Sequence, residues 1–283
     1  MVSLAIRRFL VQPRAGAAGC NAPGAISQDD LGQAVAPTAK GNMSKISFKP
    51  MYQQVYESLR SRMASGELAP GTFLPSENVL AEDYGVSQGT LRKAIDRLAA
   101  DKLVVRYQGK GTAIALIDSD EALFRFFRLV HSDGHKLLPS SQVLGAESGQ
   151  AGEDEGKALA IAAGDMVFRI HRLRMLDGSP AIDEKITVPC AAFPGIDELT
   201  TDHVPNTLYN YFQERYGTTV CRIREHLIAK GATAGTAKRL EVRAGHPVLQ
   251  IRRVAYDLND RPVEYRVMLC LTDHVHYDAD LKR

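Results

Sequence analysis

The sequence predicts an α+β protein of two folded domains, on three observations. Residues 51–116 read as three amphipathic helices followed by a β-hairpin. The longer part beyond them is rich in strand-like runs and repeats itself at an offset of 81 residues. Ahead of both lies a stretch with no sustained hydrophobic period. At 283 residues the chain is long enough for two domains to bury separate cores.

Residues 1–42 are dominated by Ala, Gly, Pro and Gln and are predicted to form a disordered extension. Three arginines among apolar residues up to Arg14 faintly resemble a targeting peptide, but an unpacked extension is the plainer reading, and Met43 would make a natural start. From there the order returns, and residues 43–115 form the first predicted domain. Tyr52, Val55, Leu59 and Met63 recur on one helical face, and Gly66 with Pro70-Gly71 ends that helix. Ser76 is a natural N-cap for a second helix that turns Val79, Leu80 and Tyr84 inward. Gly85-Val86-Ser87 makes a tight turn, and Ser87 caps a third helix whose buried stripe is Leu91, Ile95 and Leu98. Leu103-Val104-Val105 reads as a strand, Gln108-Gly109-Lys110-Gly111 as a hairpin tip, and residues 112–116 as the return strand.

Three helices, a short Gly-containing turn and a hairpin spell a winged helix-turn-helix, a double-stranded DNA reader. Such a fold places the third helix in the major groove. The candidate DNA contacts are therefore Ser87, Gln88, Gly89, Thr90, Arg92 and Lys93, with Ser76 and Asn78 at the start of the second helix. Gln108, Gly109, Lys110 and Gly111 at the hairpin tip would approach the minor groove or backbone, since glycine permits close contact. Net charge supports the division: +3 over residues 43–117 and −3 over 118–283.

The run from Pro50 to Ile114 resembles the N-terminal domain of GntR-type regulators over its whole length. The resemblance rests on Tyr52-x-x-Val55, Ser65-Gly66-x-Leu68, Leu74-Pro75-Ser76-Glu77, Gly85-Val86-Ser87, Arg92 and Gly109-x-Gly111. Many relatives carry Arg where this chain has Asn78 and Gln88. Arg favours the guanine edge and Asn or Gln the adenine edge, so an operator with A·T in place of G·C is expected.

Residues 116–121 read as a linker, with a hinge expected over 115–120, and 122–283 as the second domain. Here Leu159-x-Ile161-x-Ala163-Gly164-x-x-Val167-x-x-Ile170-x-Arg172 reappears as Leu240-x-Val242-x-Ala244-Gly245-x-x-Val248-x-x-Ile251-x-Arg253. Each copy runs into a turn and then a second strand bearing Glu184 or Glu264, which suggests two similar hairpin units; one helix is expected around residues 207–216. Alternation puts Ile182, Glu184, Ile186 and Val188 on one face of their strand, and Phe168, Ile170, Arg172 and Arg174 together on one face of theirs, with the two guanidiniums roughly 7 Å apart by strand rise. Charges in an apolar row either neutralise each other as a structural Arg–Glu pair or await an anionic ligand.

This half resembles, more loosely, the UTRA domain of the HutC subfamily of GntR regulators. The resemblance lies in Arg172-Leu173-Arg174, Glu184, Thr207-Leu208-Tyr209, Tyr216-Gly217, Asp257 and Arg261-Pro262-Val263-Glu264. It implies a chorismate-lyase-like α/β fold that binds a small effector and makes a homodimer. It further implies effector contacts at Arg172, Arg174, Glu184, Thr207, Tyr209 and Glu264, and a near-palindromic operator. Cys270 stands where many relatives have Tyr.

Other functions find less support. No run approaches the ~18–20 apolar residues of a membrane span. Cys20, Cys190, Cys221 and Cys270 are widely spaced and read as free thiols of a cytoplasmic, nucleoid-associated protein. His274-x-His276 lacks a nearby third ligand, so no metal is expected, and no motif calls for a cofactor. No G-x-S-x-G elbow marks a hydrolase. The rivals to an effector-controlled repressor are a lyase-type enzyme built on the second domain and a constitutive DNA-binding dimer.

Overall fold

A computed structural model describes residues 49–116, 126–134 and 138–279. The extension at 1–42 and most of the expected hinge lie outside the described residues. Among those described, no helix is long and apolar enough to cross a membrane.

The first domain forms as its capping signals dictate. Helix α1 (Met51–Ala64) buries Val55, Tyr56, Leu59 and Met63. Helix α2 (Glu77–Asp83) starts where the Ser76 hydroxyl accepts the Val79 N–H at 3.4 Å, and α3 (Gln88–Ala100) where Ser87 accepts the Thr90 N–H at 3.2 Å. Between them Gly85 takes φ +60, a left-handed value that closes the turn. Strands β1 (Val104–Tyr107) and β2 (Gly111–Ile114) pair as the hairpin. One expectation is corrected: Val79 points outward, 48% exposed, and Leu80 and Ala81 fill the buried side of α2. A seven-residue helix has one narrow inner face, and the residues packing on α3 take it.

The second domain is a six-stranded antiparallel sheet, ordered β4-β5-β6-β9-β8-β7. Its strands are β4 (Ser140–Gln150), β5 (Met166–Leu176), β6 (Ser179–Pro189), β7 (Val220–Gly231), β8 (Pro247–Asp257) and β9 (Pro262–Cys270). A small side sheet pairs β3 (Leu129–His131) with β10 (Val275–Tyr277). One sheet face packs Phe168, Ile170, Ile186 and Val188 against α5 (Leu208–Tyr216) and the 3-10 turns before it. The other face is covered by α4 (Glu153–Leu159) and α6 (Ala234–Arg239), packing on Val167 and Leu173 respectively.

The repeat is larger than two hairpins: each unit is strand, short helix, hairpin. At an offset of 81, Met166–Leu176 falls on Pro247–Asp257, and the positive-φ residues Ala160 and Gly164 fall on Glu241 and Gly245. The units meet around a pseudo-twofold axis at the pair Lys185↔Val267, flanked by Glu184↔Met268 and its mirror Ile186↔Arg266. Across the central strands the offset is therefore 82. This corrects the pairing of Glu184 with Glu264: the ladder sets Arg172 opposite Glu184 and Arg253 opposite Arg266, so the counterpart of Glu184 is Arg266.

Candidate functional site

Two sites were expected, one on the first domain and one inside the second. On the first, α3 keeps Leu91, Ala94, Ile95 and Leu98 inside and leaves Gln88, Gly89, Arg92 and Lys93 on its outer side. These outer residues are already engaged with one another. Gln88 donates to the Asn78 Oδ1 at 2.9 Å, so the two adenine-compatible amides hold each other. Arg92, 61% exposed along its side chain, pairs with Glu77 at 3.0 Å, and Lys93 lies 4.2 Å from the Tyr52 ring centroid. Thr90 shares a 2.9 Å hydrogen bond with Ser87, which ties the N-terminal turn of α3 to its cap. Gln108, Gly109 and Lys110 form the exposed turn of the hairpin, with Gly109 at φ +73 and Gly111 at φ +112. Beside it the exposed rings of Phe73 and Tyr107 sit 5.7 Å apart, an apolar pair the sequence reading did not single out.

Inside the second domain, a cavity of about 50 Å³ is lined by five of the six expected effector residues: Arg172, Arg174, Glu184, Thr207 and Tyr209. Thr207 enters as the residue ahead of α5, with no capping bond from its side chain. Glu264 does not line the cavity. It lies fully buried beneath it, accepting from the Tyr209 hydroxyl at 2.9 Å and clasped by both sides of Arg266 at 3.0 and 2.7 Å. The sequence reading missed Arg253, Arg266, Asn206, Phe126 and Phe127, which also line the cavity. The signal for Arg253 was present, because it is the repeat counterpart of Arg172.

The electrostatics are unusual for an interior. Arg172, Arg174, Arg253 and Arg266 are all buried within one cluster. Glu184 receives Arg172 Nε in a short contact and Arg266 Nη1 at 3.1 Å. Burial pushes its carboxyl up, yet Arg172, Arg266 and Arg174 outweigh that and hold it at about 2. Arg253 pairs with Glu225 at 2.7 Å and donates to the Phe126 carbonyl at 2.5 Å. Arg174 differs. Its hydrogen bonds go to neutral groups, Ser141 and both oxygens of Asn206, and its nearest carboxylate, Glu184, stands 3.9 Å away. Burial and the neighbouring Arg172 push the Arg174 guanidinium down to about 9. Tyr209, fully buried beside Glu264, has its phenol pushed up by burial and by that charge.

Among the described residues no group of His, Cys, Asp and Glu could hold a metal ion, and Cys190, Cys221 and Cys270 form no disulfide with one another. Comparison with known proteins then fixes the family. Residues 51–114 match the family of bacterial regulatory proteins named gntR, and residues 134–276 match the UTRA domain. The "Probable fructoselysine utilization operon transcriptional repressor" of Escherichia coli (strain K12) is 30% identical over 246 residues, covering 84% of this chain and 98% of that protein. The HTH-type transcriptional repressor NagR of Bacillus subtilis (strain 168) is 28% identical over 242 residues, covering 83% and 98%. Among solved structures, the ligand-binding domain of a GntR-family regulator from Bordetella bronchiseptica is 31% identical, with a TM-score of 0.52 over 56% of this chain and 98% of that one. This chain thus belongs to the GntR family of bacterial transcriptional regulators, in its HutC subfamily, pairing a winged helix-turn-helix with a UTRA domain.

Proposed function

We propose that this regulator is a repressor whose operator affinity is set by a small anionic metabolite bound at Arg172, Arg174 and Glu184. The observation that carries the reading is Arg174: a buried guanidinium on the cavity wall, beside a second arginine, whose hydrogen bonds all go to neutral groups and whose nearest carboxylate, Glu184, stands 3.9 Å away. A phosphoryl or carboxylate group would take up its bidentate face. Glu184 would accept from a hydroxyl or amino group of the same ligand. That the relatives named above carry repressor names supports repression as the sign.

The cavity is small, about 50 Å³, so a ligand larger than one such group would extend toward its wall. The wall includes Phe126 and Phe127, the described residues that resume the chain after the first domain, and Arg253 holds the Phe126 carbonyl. A ligand that moves this wall changes DNA affinity only by binding one arrangement of the protein better than another. A homodimer through the UTRA domain reading a near-palindromic site completes the proposal, since one small winged helix contacts few base pairs.

The test is calorimetric titration of the full chain with a panel of phosphorylated and carboxylated sugars. At least one should bind, be recovered unchanged, and lose about tenfold or more in affinity in Arg174→Gln. Turnover of the ligand would favour an enzyme, and tight binding that ignores Arg174 would place the site elsewhere.

A further inference from the structure

The pseudo-twofold symmetry makes each half of the sheet a control for the other. On the helix-covered face of the first half, His171 and Arg239 converge on Asp183, at 2.6 Å each, and bury its carboxylate between them. The symmetry carries His171 to Arg252 and Arg239 to Ala158 at the offset of 81, and Asp183 to Tyr265 at 82. The second half thus has an arginine where the first has His171, a tyrosine in place of the carboxylate, and an alanine in place of the Arg239 side chain that reaches over it. What stands there is a cavity of about 220 Å³, walled by Ala158, Tyr265, Arg252, Arg224 and His226.

Its wall is rich in basic groups, with Arg224 and His226 exposed and Arg252 half-buried. His226 lies directly opposite Arg252 in the β7–β8 ladder, and Arg224 opposite Val254, one step along the same face. Among the described residues none of the three makes an ion pair, and the buried Arg252 Nε has no hydrogen-bond partner at all. Arg224 has only the Tyr256 ring, at 5.8 Å. Asp154, the one acid on the wall, pairs with none of the three, and Lys157 is engaged with Glu153 at 3.5 Å.

We infer that this cavity is a second anion site, which takes a compact phosphoryl or carboxylate group where Asp183 stands in the other half. It lies on the opposite face of the sheet from Arg172 and Arg174, so it does not depend on the effector pocket. Arg252 and Arg224 supply the charge-assisted donors, His226 flanks them, and Tyr265 holds the strand position that Asp183 has in the other half.

The experiment is titration of the full chain with inorganic phosphate, followed by calorimetry and by the Arg252 Nε–H resonance. Phosphate should shift that resonance, and Arg252→Gln should weaken binding about tenfold or more while Arg174→Gln leaves this site unchanged. Tyr265→Asp, which restores the carboxylate of the first half, should abolish phosphate binding and raise the melting temperature. The proposal is overturned if phosphate leaves the Arg252 resonance in place, or if Arg252→Gln binds as the wild type does. It is equally overturned if Arg252→Gln only dissociates an oligomer, which would make the cavity a subunit contact.

Discussion

Arg174 and Glu184 sit four ångströms apart, yet their loss should act in opposite directions. Removing Glu184 leaves Arg172, Arg174 and Arg266 buried against one another, so Glu184→Gln should cost about 3–5 kcal/mol in urea unfolding. Removing Arg174 relieves a buried charge whose hydrogen-bond partners are neutral and which shares its one nearby carboxylate, Glu184, with Arg172 and Arg266. Arg174→Gln should leave stability unchanged or raise it, which is the mark of a residue kept for a ligand rather than for the fold. A drop comparable to that of Glu184→Gln would make Arg174 structural. On the other sheet face, Arg169 and the Gly152 N–H hold the Glu155 carboxyl at about 2, below its ordinary value near 4.5. Its contribution is complete above pH about 4.5 and lost as pH falls toward 2, so Glu155→Gln should flatten the acid limb of the stability profile. For DNA, Gln88→Arg should move operator selection from A·T toward G·C at one position. Arg92→Ala should cost about 1–3 kcal/mol if Arg92 leaves Glu77 to read a base.

At the level of elements, much was legible because short-range chemistry decides it. Ser76 and Ser87 announce helix starts by residue type alone, and Ser87→Ala should cost about 1 kcal/mol in thermal unfolding by orphaning the Thr90 N–H. The repeat was legible because Leu159, Val167 and Ile170 and their copies are all buried, so both halves need the same apolar spacing. What escaped depended on pairing. The first hairpin turns on Asp177-Gly178, while the second takes four residues, 258–261, and the slip between strands changes which residues are equivalent. No reading of a linear repeat could show that Glu184 corresponds to Arg266. Val79 escaped for a similar reason, since the inner face of a two-turn helix is chosen by its neighbours. Arg253 lay in the quoted repeat, but only the sheet brings it into the same pocket as Arg172.

Across the molecule, the longer β8–β9 turn joins the two domains. Leu258 at its tip is buried in the core of the first domain, and Asp260 receives Arg60 of α1 at 2.6 Å. The same hairpin carries Arg253, Glu264 and Arg266, so the charged cluster and the DNA-binding domain share one rigid element. Leu258→Asp should therefore split thermal unfolding into two transitions where the wild type shows one; a single transition in both would mean the contact is incidental. The central claim is that an anion at the arginine cluster changes DNA affinity. It is tested most directly by operator binding, followed by fluorescence anisotropy, with and without a sugar phosphate that binds at Arg174. The dissociation constant should rise about tenfold or more with ligand in the wild type, and stay at its ligand-free value in Arg174→Gln. An operator affinity that does not move while the wild-type pocket is saturated would contradict it.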